Sequence, residues 1–121
     1  MQDNLKVMIV DDEPINLEIL DEMLSDRCET QLVESGEAAL ANLDNFHPDL
    51  ILLDVMMQGI DGYETCRKVR AHPKESATKI IMISAKASES DIKLGLEAGA
   101  DEYIAKPFDE DSLIEAINRY L

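Results

Sequence analysis

Cysteine is scarce: Cys28 and Cys66 are the whole complement, and they form no CxxC pair. A chain of 121 residues has no need of a disulfide staple, so both thiols are expected to pack as small apolar groups. His47 and His72 are the only histidines, isolated beside prolines in loop-like sequence. No HExxH or His/Cys cluster signals a zinc site. No apolar run approaches the roughly 18 residues of a membrane span. The opening Met1-Gln2-Asp3-Asn4 lacks the basic and apolar regions of a secretory signal. A cytoplasmic location without a membrane partner is therefore expected. Basic charge is short as well, with 11 Lys and Arg against 26 Asp and Glu and a net charge of −15. That surface repels phosphate backbones, which disfavours direct nucleic-acid binding and suits a cation or a basic protein partner. Solubility alone is the plain account of the same charge.

What is present is a good core. Hydrophobic residues make up 45% of the chain, enough for a globular fold. One domain over residues 1–121 is expected from the length and from the absence of linkers, repeats or low-complexity tracts. Short apolar runs alternate with amphipathic stretches throughout. Lys6–Val10, Leu50–Leu53 and Lys79–Ile83 read as buried strands. Glu29–Val33 is a more polar strand and Asp101–Ala105 a short one. Between them lie helices. The first runs from Pro14 to about Ser25, with Ile15, Ile19 and Met23 as its apolar stripe beside Leu20 and Leu24. The second covers Gly36–Asp44 behind Ser35 as cap, and the third covers Asp61–Ala71, ending before His72-Pro73. The fourth runs from Ser88, with Asp91 in a capping-box position, to Ala98, where Gly99 ends it. The last covers about Glu110–Tyr120, capped by Asp109, with Phe108 and Leu113 as a hydrophobic staple. Strict alternation predicts an α/β fold: a doubly wound, five-stranded parallel sheet with helices on both faces.

The reactive side chains collect after the strands. Asp11, Asp12 and Glu13 follow the first, Asp54 the third, Ser84 and Ala85 the fourth, and Lys106-Pro107 the fifth. The second ends in Glu34-Ser35-Gly36 and contributes little. Open α/β sheets bind ligands outside the carboxyl ends of their strands, where the strand order reverses. A flavodoxin-like order 2-1-3-4-5 puts that point between the first and third strands. Asp11, Asp12 and Asp54 would then converge, and like charges so close must be neutralised. Lys106 can supply one positive charge. A hard divalent cation can supply more, and Mg²⁺ is the best match to few carboxylates plus water and a phosphate oxygen. The simpler account of Asp11 and Asp12 is that they cap the first helix.

Four segments together resemble one family. "VMIVDDEPINLEIL", "PDLILLDVMMQGIDGYETCRKVR", "IIMISA" and "GADEYIAKPFD" are similar, in order and interval, to the acidic-pair, acceptor, hydroxyl-switch and lysine–proline segments of response regulator receiver domains. The resemblance covers essentially the whole chain. It implies a two-component phosphorelay switch rather than a turnover enzyme. Asp54 would take a phosphoryl group from a histidine kinase or a histidine phosphotransfer protein. Asp11, Asp12, Asp54 and the Met56 carbonyl would hold Mg²⁺, with Mn²⁺ as a substitute. Ser84, the Ala85 N–H and Lys106 would bind the phosphoryl oxygens. Tyr103 matches the switch aromatic, and Lys106-Pro107 matches a peptide usually cis in the family. The output would be a partner protein or a fused output domain. It would be read on the face from about Ser88 to Leu121, the fourth helix, fifth strand and fifth helix, which could also serve a homodimer.

The chain departs from the family pattern at two points. Gln58 stands where a proline is common. Met56 and Lys86 occupy the positions that flank the path of attacking water; Met56 offers no side-chain hydrogen bond, so slow self-dephosphorylation is expected. Other classes fit less well. A DxD phosphatase needs Asp at position 56, a P-loop enzyme needs GxxxxGK[ST], and a flavin phosphate would be repelled by the acidic first turn. A docking module without chemistry would have no use for the full set of reactive residues.

Overall fold

The computed structural model describes residues 5–120. The strands are β1 (Lys6–Val10), β2 (Glu29–Val33), β3 (Leu50–Asp54), β4 (Lys79–Ser84) and β5 (Glu102–Ala105). They alternate with α1 (Pro14–Leu24), α2 (Gly36–Phe46), α3 (Gly62–Arg70), α4 (Glu89–Ala98) and α5 (Glu110–Arg119). All four strand pairings are parallel, in the order β2-β1-β3-β4-β5. The fold is the doubly wound, flavodoxin-like sheet that the alternation predicts.

The period of two along each strand divides the core between two faces. Met8, Val10, Ile51, Leu53, Ile80 and Met82 pack on one side with Ala39, Leu43, Cys66 and Ala98 of α2, α3 and α4. Val7, Ile9, Leu50, Leu52, Ile81 and Ile83 pack on the other with Leu17, Leu20, Leu24, Leu113 and Ile117 of α1 and α5. A strand covered on both faces must be apolar throughout, which is why β3 reads LILL before its aspartate. β2 lies at the sheet edge and keeps only Val33 fully buried. Cys28 and Cys66 are both buried free thiols.

Local signals set the helix ends. Pro14 opens α1. Ser35, Asp61, Ser88 and Asp109 each accept a backbone N–H from the first turn, and Ser88 with Asp91 forms a reciprocal capping box. Gly99 closes α4 at φ 116°, a conformation open to glycine.

Two expectations need correction. Of the expected α1 stripe, Met23 packs partly buried against the core, but Ile15 and Ile19 do not. Leu17, Leu20 and Leu24 face the sheet, while Ile15 is 69% and Ile19 47% exposed. Ile15 lies about 200° around the helix from Leu17, so both cannot face the core. The leucines follow i, i+3, i+7, which tracks the axis, whereas an i, i+4, i+8 line drifts off it. β5 also starts one residue later than expected. Asp101 is taken up in a turn, its carboxylate accepting the Ile80 N–H and pairing with Arg70 at 3.0 Å. Among the described residues no helix is long and apolar enough to cross a membrane.

Candidate functional site

The site lies at the carboxyl edge of the sheet, between β1 and β3. Val10 and Leu53 pair across these strands, so the residues after them emerge side by side. Asp11 remains tied to the sheet by its N–H, which donates to Val33 O at 3.2 Å. Its Oδ1 accepts the Glu13 N–H at 2.9 Å, turning the chain into α1. Asp12 Oδ2 accepts the Gln58 N–H at 3.1 Å and so holds the loop that follows β3. Asp54 pairs with Ile83 and ends β3 in a buried position. One oxygen from each of Asp11, Asp12 and Asp54 fits within a mutual separation of 4.8 Å.

Glycine allows this crowding. A Cβ on Gly62 would meet Asp54 O at 2.5 Å and Val55 Cα at 2.7 Å. The first turn of α3 therefore lies directly against the backbone that carries Asp54, and only a residue without a side chain permits it.

Lys106 is the cation of the site. Its N–H donates to Ser84 O at 2.9 Å, continuing the β4–β5 pairing past the end of the strand. Its Nζ stands 3.7 Å from Asp11 Oδ2 and 3.7 Å from Asp54 Oδ1. The Lys106-Pro107 peptide is cis. Burial, together with three carboxylates that one ammonium does not balance, pushes the Asp54 carboxyl up to about 6. Burial is the main cause and the Asp11 charge the next; Lys106 pulls the other way. The donor atoms are all hard oxygens around a surplus of negative charge, so the cluster could hold a divalent metal ion of the magnesium class.

The other expected residues take these places. Ser84 is buried at the end of β4, and its Oγ accepts the Lys86 N–H at 3.0 Å. Ala85 is exposed beside it. Met56 is 61% exposed, its side chain outside the carboxylate cluster. Tyr103 is half-buried on β5, and its hydroxyl donates to the Lys86 carbonyl.

Sequence reading missed the connections among these residues. Lys86 links Ser84 and Tyr103 through its backbone, and its Nζ lies 3.6 Å from Asp91 Oδ1 at the start of α4. The Tyr63 hydroxyl donates to Asp91 O at 3.2 Å, joining α3 to the same point. Apart from the Lys86 N–H to Ser84 Oγ bond, a local turn, no spacing rule signals these bonds, because each crosses between elements. Phe108 was legible as a staple residue, yet it also lines a small apolar cavity beside Asp54 with Asn16, Ile19 and Leu20.

Comparison with known proteins agrees with this geometry. The family described as the response regulator receiver domain matches residues 7–118. The DNA-binding response regulator MtrA of Mycolicibacterium smegmatis is 37% identical over 117 residues, covering 96% of this chain and 50% of the relative. The chain thus spans about half the length of the curated relatives it matches. The receiver domain of a Pseudomonas aeruginosa sensor histidine kinase, solved with a magnesium ion coordinated in its active-site cleft, superposes with a TM-score of 0.89 at 30% identity, over 97% of both chains. The chemotaxis protein CheY4 of Vibrio cholerae gives a TM-score of 0.92 at 28% identity, over 98% of this chain and 99% of its own. By sequence, topology and the layout of its carboxyl edge, the chain belongs to the receiver domain family of two-component response regulators.

Proposed function

We propose that the chain is a phosphorylation-dependent switch, with Asp54 as acceptor. The observation that carries this reading is the convergence of Asp11, Asp12, Asp54 and Lys106 at one sheet edge. Phosphoryl transfer asks a protein mainly for an in-line nucleophile and compensation of charge on the equatorial oxygens. An Asp54 carboxylate oxygen forms the new bond to phosphorus as the bond to a phosphohistidine nitrogen, or to a small phosphodonor, breaks. The acidic residues and the Met56 carbonyl would hold Mg²⁺, or Mn²⁺ in its place, and the bound ion would offset the phosphoryl charge. Lys106 supports the same charge from the β5 side. The Ser84 hydroxyl, now an acceptor for Lys86 N–H, and the Ala85 N–H are the remaining donors within reach of the edge.

Signal output follows from Ser84. If its hydroxyl turns to the phosphoryl group, Lys86 N loses its partner and the β4–α4 loop is released. Tyr103 is bonded to that loop, so the α4–β5–α5 face shifts between two packings. That face would meet a target protein, a fused output domain or a second copy. The donor would be a cytoplasmic histidine kinase or phosphotransfer protein. The domain would catalyse its own transfer and slow hydrolysis without being a turnover enzyme. Incubation with acetyl phosphate and Mg²⁺ should add about 80 Da, the mass of one phosphoryl group, in a labile acyl phosphate linkage. Asp54→Asn should abolish the adduct; equal labelling of that variant would overturn the assignment.

A further inference from the structure

The loop between β3 and α3 carries the Met56 carbonyl, and two carboxylates from other elements hold its backbone. Asp12 Oδ2 accepts the Gln58 N–H at 3.1 Å, and Glu37 Oε2 accepts the Ile60 N–H at 3.3 Å. A proline at position 58 would have no N–H to give, so Gln58 is what permits the first bond.

Close seating of α2 on the loop accompanies the second bond. Gly59 has φ 78°, and a Cβ there would meet Glu37 Oε2 at 2.7 Å and Oε1 at 3.1 Å. The carboxylate thus lies directly against the glycine, in space that a side chain would fill. A Cβ on Gly36 would meet Ile60 Cγ1 at 2.7 Å, so the first turn of α2 presses on the same loop. An acidic residue in that turn also suits the helix dipole. The dipole accounts for a gain in helix stability but not for the reach to Ile60.

The two holders are not equivalent. Asp12 belongs to the carboxylate cluster with Asp11 and Asp54, where a metal ion would compete with the Gln58 N–H for its oxygens. Glu37 is not among the described residues of that cluster and keeps its carboxylate for the loop. We propose that Glu37 is a positioning residue for the metal site, fixing the β3–α3 loop and its Met56 carbonyl when Asp12 turns to the ion. This role rests on the reading of the carboxylate cluster as a magnesium site. A loop that samples other positions binds with an affinity reduced by the fraction in the competent one. Holding the loop therefore tightens binding without Glu37 touching the ion.

The test is a Mg²⁺ titration of the full chain followed by amide NMR shifts, with hydrogen exchange at the Ile60 amide measured without the ion. Glu37→Ala should speed Ile60 exchange and weaken Mg²⁺ binding about three- to tenfold. Glu37→Gln loses the charge but keeps an oxygen acceptor, and should hold both readouts within about twofold of the unaltered chain. A role in helix stability alone would lower the urea midpoint of Glu37→Ala and leave Mg²⁺ affinity where it is, which would overturn the proposal. Equal loss of affinity in both variants would overturn it as well, by assigning the effect to charge rather than to the hydrogen bond. Failure of the unaltered chain to bind Mg²⁺ would overturn the magnesium reading and this role with it. Binding that Glu37→Ala leaves intact would overturn the role of Glu37 alone.

Discussion

The Lys106 ammonium stands 3.7 Å from the Asp54 carboxylate, near enough to attract it but in contact with Asp11 at the same distance. Burial, and then the charge of Asp11 that shares this cation, raise the Asp54 carboxyl from 3.8 to about 6. The folded state therefore holds the proton through a pH range in which the unfolded chain has released it. Stability falls as pH rises from about 3.8 to about 6, since there the native state binds more protons. Above that window, ionised Asp54 costs on the order of 2–3 kcal/mol. Asp54→Asn should raise stability by that order at pH 7.5 without divalent ions, and the gain should fade towards pH 4. Urea melts at both pH values measure it; a gain independent of pH would contradict the electrostatic account.

Removing the cation should move the same group further. Lys106→Met should raise the Asp54 titration midpoint above its present value and slow phosphoryl transfer from acetyl phosphate. Side-chain ¹³C titration of Asp54 and mass-resolved labelling rates read the two effects. An unchanged midpoint would show that Lys106 is solvated away from the carboxylates.

The ring of Tyr103 packs where Gly95 leaves space. A Cβ on Gly95 would meet Tyr103 Cδ2 at 2.8 Å and Met82 Sδ at 2.9 Å. In a helix interior Gly→Ala ordinarily stabilises by roughly 0.5–1 kcal/mol. Gly95→Ala should instead destabilise by about 1–3 kcal/mol through overpacking and push the tyrosine outward. In a Tyr103→Ala background the cost should shrink, leaving only the Met82 Sδ overlap to be relieved. That coupling, measured as a double-mutant cycle, tests whether the contact sets the ring position.

Position 56 bears on the lifetime of the phosphorylated state. The exposed Met56 has no polar group to orient water. Met56→Asn adds one, and should speed phosphate loss from Asp54 roughly tenfold, about 1.4 kcal/mol of barrier. Decay of the phosphorylated mass over time is the readout.

The two sides of α1 should respond differently. Leu20→Ala removes a buried side chain and should cost about 2–5 kcal/mol. Ile15→Ala should change stability by less than about 0.5 kcal/mol. Ile15 and Ile19 are exposed, and Ile19 and Phe108 line the cavity beside Asp54. Ile15→Asp should therefore slow transfer from a phosphohistidine protein while leaving acetyl phosphate labelling unchanged.

Much of the architecture was legible in linear order. The apolar runs at Lys6–Val10, Leu50–Leu53 and Lys79–Ile83 announced strands covered on both faces, and the caps at Ser35, Ser88 and Asp109 marked helix starts. These signals are local, so a single sequence carries them. The placement of Asp11, Asp12, Asp54 and Lys106 after strands was equally plain, because a parallel sheet sends every strand end to the same edge. Which face α1 buries was legible only in part: Leu20 and Leu24 were read alongside the stripe, while Leu17 was missed and Ile15 and Ile19 were wrongly included. Isoleucines and leucines are nearly equivalent in hydrophobicity, and only docking against the sheet chose Leu17, Leu20 and Leu24. The tertiary structure alone also decided the Lys86 connections and the pairing of His47 with Glu75 and His72 with Asp44. Apart from the local Lys86 N–H to Ser84 Oγ bond, those contacts join different elements, and their geometry exists only once the helices are seated.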